Sequence, residues 1–454
     1  MENSLAEETE TVQKTGTQIK VYKYRWIVLG LYVLVCMISF LQTLEFSIIA
    51  NIIIKYYKVG EFLVDLTCVI FFIAYIIFFY PISYLIEKNT LKHSMICAMI
   101  LTLLGNLLKL LAANQDRFWI ILLAQTLIAI GQVYICSVPT KIATSWFGSE
   151  EVSTACAIGV LGIQLGSGIS CIQSPYLVKD GPNTETQLFH MFLYQAIATI
   201  VTFVLVILFF RSKPALPPSQ SQLNLMIKNE MATLTFFEDM KEVIRNKNFW
   251  LVVFSLGFAN GLWSVFGVQL NMVYIHYFPN GEHDSGILGL LSIFSGGCLA
   301  SMLFGIVLDK THRFKLISVF ILIFSAISYL CVVVSLMLES RIGSYISITA
   351  FGFFVAPVLI VGFEYLVEIT YPIPEACSSS LFNTSYYVLA VIFTYVMEGL
   401  YSSIGYFWTF VVTCILYVVC AIFIMFVKTD LKRRDANLQH SLDKKELEAR
   451  GVNL

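Results

Sequence analysis

Apolar residues along this chain come in blocks of twenty or more, separated by short polar stretches. About 20 such residues in a helix, rising 1.5 Å each, cross the ~30 Å hydrocarbon core of a bilayer. The pattern predicts an all-α membrane protein with twelve transmembrane helices. We number them spans 1 to 12, near 26–54, 62–86, 94–113, 118–139, 152–177, 188–210, 249–276, 286–308, 315–337, 343–370, 376–401 and 406–427. Span 2 is the clearest, FLVDLTCVIFFIAYIIFFYPISYLI, whereas span 5 is diluted by small residues.

The segments between blocks divide the chain. Residues 1–20 are polar and acidic and lack the short apolar core of a cleavable signal, so span 1 is expected to start insertion. A first half is expected over 21–211 and a second over 248–430, with a tail at 431–454. The linker 212–247 carries Pro and Ser and then FFEDMKEVIRNKNF. There Phe236, Phe237, Met240, Val243 and Ile244 share one helical face, which predicts a helix lying in the membrane interface. Of the 29 basic residues, five (Lys55, Lys58, Arg117, Lys179 and Arg341) fall in one set of loops and Lys109 inside span 3. The remaining 23 lie on the other side with the termini, which predicts that both termini are cytoplasmic.

Composition agrees with the pattern. The chain is 57% hydrophobic and 13% charged, against about one quarter charged in soluble domains. A net charge of −1 argues against a nucleic-acid partner. The 11 cysteines form no CxxC pair, so neither a disulfide framework nor a metal site is expected. No catalytic triad pattern or phosphate loop appears, and neither an enzyme nor a cofactor is predicted.

The two halves repeat. Glu87-Lys88 follows span 2 and Asp309-Lys310 follows span 8, an offset of 222 residues. SWFGSEEVSTA after span 4 and ITYPIPEACSSS after span 10 stand at nearly the same offset. Two pseudo-symmetric six-helix halves are the mark of the major facilitator fold. The stretch from Gly305 to Lys315, GIVLDKTHRFK, resembles that superfamily's signature loop. Glu87, Lys88, Asp309, Lys310 and Arg313 are therefore candidates for a conformational latch.

Polar side chains inside spans are costly and should face one another or a cavity. Gln42 and Glu45 lie one turn apart in span 1 and are expected on its cavity side, where Glu45 would set a negative potential. Gln125 and Gln132 in span 4, Gln164 in span 5, Trp263 and Gln269 in span 7, and Tyr386 and Tyr387 in span 11 are further candidates. Glu364 and Glu368 sit near the end of span 10, where contacts to helix ends are expected. Gly162 and Gly166 form a GxxxG step for close packing of span 5. Lys109 in span 3 could snorkel or pair with an acid, and no function is assigned to it.

A closer resemblance rests on YKYRWIVLGLYVLVCMISF with EFSIIANI, SWFGSEEVSTACAIGVLGIQLGSGI, GFEYLVEITYPIPEACSSSLFN and FVKTDLKRRDAN. These look like the feline leukaemia virus subgroup C receptor-related family, from about Tyr22 to Asn437. The resemblance implies a facilitative carrier of choline or ethanolamine working by alternating access. Haem export or import, a vitamin-type carrier and a non-transporting receptor stay open as alternatives. It also implies a cation site of aromatic residues in spans 1 and 7 and glutamines in spans 5 and 11. Those positions fall on Thr43, Trp263, Gln164 and Tyr387, so the span-1 aromatic is absent and an aromatic stands in span 11 instead. The expected setting is a monomer in the bilayer, in the plasma membrane, with mitochondrial and lysosomal membranes as alternatives.

Overall fold

The computed structural model describes residues 22–136, 138–148, 151–214, 216, 240–311, 313–370, 373 and 375–428. Among these, nine helices are long and apolar enough to cross a membrane. Six of the expected spans appear directly, as Glu61–Lys88, Leu91–Leu111, Phe118–Cys136, Val152–Leu177, Thr184–Phe209 and Phe314–Met337. The difference from twelve has local causes. Val152–Leu177 is not among the nine, span 1 is broken into pieces too short to count, and spans 11 and 12 run together.

Span 1 forms a helix over Arg25–Phe40, a tight turn, a 3-10 turn over Ser47–Ile49 and a helix over Ala50–Tyr57. At the turn the amides of Gln42 and Thr43 bond three residues back, to Ser39 and Phe40, at 3.3 and 3.2 Å. Span 10 divides into Arg341–Val355 and Pro357–Thr370, because Pro357 has no amide proton to continue the ladder. Spans 11 and 12 follow one another without a loop within Glu375–Met425 and are divided by a kink at Gly405, whose φ of 81 favours glycine. Spans 7 and 8 each contain a π-turn, Val253–Gly257 and Phe294–Ala300. At the second, Gly296 lies so close to the Gly352 carbonyl that a Cβ has no room.

The helices pack around their small residues. A Cβ on Gly162 would stand 2.8 Å from the Val33 carbonyl and one on Gly166 2.5 Å from that of Met37. The GxxxG step therefore seats span 5 directly on the backbone of span 1. The second half holds a continuous apolar core from Val243 to Val427. The first half holds two, one including Val28, Met95, Val133 and Phe210, the other including Phe46, Ile121, Leu188 and Phe192. Of the expected interfacial helix, Phe236 and Phe237 lie outside the described residues, while Val243 is buried in the second-half core.

The halves meet at the end of the bundle away from the termini. The side-chain amide of Asn51 donates to Glu282 at 2.7 Å, and its backbone N–H donates to Asn271 at 3.4 Å. Gln269 approaches Asp65 at 3.5 Å, and the rings of Phe62 and Tyr395 stand 4.5 Å apart. Gly286 and Gly289 let span 8 close on Cys171 of span 5. This end of the bundle is shut by hydrogen bonds and close helix contact.

Candidate functional site

The break in span 1 organises the site. Beyond the turn at Leu41, Thr43 points into a void of about 40 Å³ between spans 1, 2, 4 and 11. Its walls are Phe40, Phe71, Phe72, Tyr75, Gln132, Cys136 and Tyr387, with Ala129 and Val133. The Gln132 amide donates to the Thr43 hydroxyl at 3.1 Å, which fixes both polar groups at the rim. Tyr387 stacks on Phe72 at 5.2 Å and tilts against Tyr75 at 4.9 Å. Tyr386 tilts against Tyr387 at 4.3 Å. Spans 2 and 11 thus bring rings from opposite halves together around the void. Such faces attract a cation within ~6 Å, and amide and hydroxyl oxygens complement its polarised methyl groups.

Thr43 and Tyr387, where the resemblance expects an aromatic and a glutamine, therefore line one cavity. The other expected partners sit elsewhere in this conformation. Trp263 packs with Phe266 and Phe351, at ring distances of 6.0 and 5.5 Å, against the core of the second half. Gln164 is partly buried and lies over Gly297 of span 8, where a Cβ would come within 2.7 Å of its amide carbon.

Gln42 and Glu45 differ from the expectation of a cavity-facing pair. Both are fully buried inside the first half, and neither lines the void. The reason is Lys109 of span 3, itself 0% exposed, whose ammonium pairs with Glu45 and donates to the Gln42 side chain at 2.9 Å. Gln195 of span 6 donates to the other Glu45 oxygen at 2.6 Å. Gln125 of span 4 donates to the Gln42 carbonyl at 3.1 Å and to Glu45 at 3.3 Å. Asn106 and Thr199 bond at 2.9 Å, also between spans 3 and 6. Lys109 thus pairs with an acid, one of the two readings its sequence left open, and the partner, Glu45 of span 1, is fixed only by the fold.

The latch candidates are scattered. The side chains of Glu87 and Asp309 lie outside the described residues. Lys88, Lys310 and Arg313 are exposed, and the Arg313 amide bonds to the Thr311 hydroxyl at 3.5 Å. Lys141 donates to the Ile86 carbonyl at 2.7 Å, so a base from beyond span 4 holds the end of span 2. Glu364 is exposed and Glu368 is buried, near the terminal end of span 10. Sequence reasoning missed Phe72 and Tyr75. Their signal is an aromatic stripe of Phe71, Phe72, Tyr75 and Phe79 on span 2, submerged in a chain that is 14% aromatic.

Known proteins share both fold and sequence. Residues 31–394 match the Major Facilitator Superfamily. The "Choline/ethanolamine transporter flvcr2a" of Danio rerio is 31% identical over 424 residues, covering 92% of this chain and 89% of the relative. The "Choline/ethanolamine transporter FLVCR2" of Homo sapiens is 30% identical, covering 95% and 83%. An "Uncharacterized MFS-type transporter" of Caenorhabditis elegans is 32% identical, covering 92% and 71%. A bacterial homologue of the human lysosomal transporter Spinster, solved inward-facing and unoccupied, superimposes with a TM-score of 0.68 at 15% identity, covering 91% and 99%, and shares the fold. With two facilitator halves, a ring-lined void between them and these relatives along nearly its whole length, the chain belongs to the major facilitator superfamily and, within it, to the family of the FLVCR1 and FLVCR2 transporters.

Proposed function

We propose that this protein carries choline or ethanolamine across a membrane by facilitated alternating access, without a hydrolysed cofactor. The observation that carries the reading is the void where Thr43 of span 1 faces Tyr75 and Tyr387, with Gln132 at its rim. An ammonium compound needs aromatic faces and a few oxygen dipoles, and those are the groups assembled there. Tyr387 takes over the face that Thr43 does not supply. No lysine or arginine lines this void, so the carboxylates of a haem would find no counter-charge there.

A void of about 40 Å³ has room for water and is small for an amine of choline's size. Substrate therefore enters when Tyr387, carried by the second half, withdraws from Phe72 and Tyr75 of the first. Rocking of the halves also gives Trp263 and Gln164, both partly exposed, access to the bound cation. The seam at Asn51, Asn271 and Glu282 is the gate on the far side, and it is shut here. With both termini cytoplasmic, as the basic residues favour, this conformation faces inward. The protein works as a monomer in the plasma membrane, and the acid–base pairs after spans 2 and 8 bias the rocking.

Isothermal titration of the purified protein with choline, ethanolamine and haem tests this. Saturable binding of choline or ethanolamine, lost in Tyr387→Ala, is the expected result. Haem binding with neither amine bound would overturn the reading.

A further inference from the structure

Lys109 was a residue without a role, yet it is wholly buried and holds the one place where span 1 ceases to be a helix. The first piece of span 1 ends at Phe40, and its C-terminal carbonyls carry partial negative charge. The second piece begins at Ser47, and its N-terminal turn carries partial positive charge. Lys109 bonds Gln42, on the side of the first piece, and Glu45 precedes the second. Cation and anion thus straddle the break with the sign each half-helix end favours. Gln125 meanwhile caps the freed Gln42 carbonyl. Thr43, between the two, is thereby aimed into the void.

We propose that Lys109 is a positioning residue, which through Glu45 and Gln42 keeps span 1 broken at 41–46 and so sets Thr43 in the substrate cavity. The pair does not touch substrate, and its orientation, lysine toward the first piece and glutamate toward the second, is part of the function. The choline arm of the test rests on the function proposed above, whereas a second arm does not.

Two variants decide it, with the wild type as reference: the neutral pair K109M/E45Q and the reversed pair K109E/E45K. Each is measured for melting temperature, for choline affinity and for hydrogen–deuterium exchange of the peptide covering 40–50. The neutral pair is expected to melt near the wild type, because Met and Gln fill the same volume without an unpaired charge. Its choline affinity should fall about ten-fold, the effect of one lost contact of cation–π size. Its amides over 41–47 should exchange at least about ten-fold faster, as one opening free-energy step of that size requires. The reversed pair, which restores an ion pair with the wrong sign at each helix end, should rescue neither affinity nor protection. Wild-type affinity and protection in the neutral pair, or full rescue by the reversed pair, would overturn the proposal. Failure of the wild type to bind choline would count against the substrate reading alone and leave exchange to decide the role of Lys109.

Discussion

The two halves descend from one pattern but build their interiors differently. The first half has two apolar clusters with a polar layer between them, made of Gln42, Glu45, Asn106, Lys109, Gln125, Gln195 and Thr199. In the second half one apolar cluster runs the length of the bundle, rich in rings such as Trp263, Phe266, Tyr329, Phe351 and Tyr417. Hydrogen bonds and a buried ion pair are directional, so they hold the first half's break in one arrangement. Ring contacts tolerate sliding and tilting. On the function proposed above, the fixed wall of the site belongs to the first half and the moving wall, Tyr387, to the second.

The largest expected effect comes from leaving the polar layer half-paired. Lys109→Met strands the Glu45 carboxylate and should cost about 3–5 kcal/mol of stability. Thermal melts in detergent measure this, and an unshifted melting temperature would remove the ion pair from the account. Next comes the seam between pseudo-equivalent helices. Gly166→Ala drives a Cβ onto backbone, the Met37 carbonyl at 2.5 Å, and should cost about 1–3 kcal/mol. Gly261→Ala in span 7 meets only side-chain atoms of Leu389 and Phe393, at 3.2 and 3.3 Å, and should cost less than about 1 kcal/mol. Equal losses in the two variants would erase the difference in rigidity between the halves.

At the site itself, Tyr387→Ala should weaken choline binding about ten-fold, and Tyr387→Phe should keep most of it, because the π-face remains. Thr43→Trp alone should weaken binding, since an indole does not fit a void of about 40 Å³ beside Tyr387. The double variant Thr43→Trp with Tyr387→Gln returns the aromatic to span 1 and should recover affinity to within about three-fold of the wild type, less than one 1.4 kcal/mol step. Titration of the wild type, Thr43→Trp, Tyr387→Gln and the double variant tests the exchange of roles, which additive losses would contradict.

The sequence shows much of this architecture and little of its interior. Span positions follow from blocks of apolar residues, and the repeat follows from Glu87 and Asp309 standing 222 residues apart. The GxxxG seat of span 5 is readable because small residues at that spacing have one main use. The break in span 1 is hidden, because EFSIIANIII reads as continuous helix and the groups that stabilise the turn, Lys109, Gln125 and Gln195, come from three other spans. The polarity of Gln42 and Glu45 signalled an interior partner or a cavity, and only three-dimensional contact with Lys109 decides between them. Tyr387 was legible through the family resemblance, whereas Tyr75 belongs to an aromatic stripe on span 2 that does not stand out in a chain with 23 tyrosines and 36 phenylalanines.

Counterflow in proteoliposomes tests the central claim most directly. Vesicles loaded with unlabelled choline are diluted into labelled choline, and uptake is followed for the wild type and for Tyr387→Ala. The account predicts rapid, transient accumulation of label by the wild type and a rate reduced by about ten-fold or more in the variant at low choline, in proportion to the lost affinity. Equal counterflow by both proteins at matched melting temperature, or no counterflow by the folded wild type with choline or ethanolamine, would contradict it.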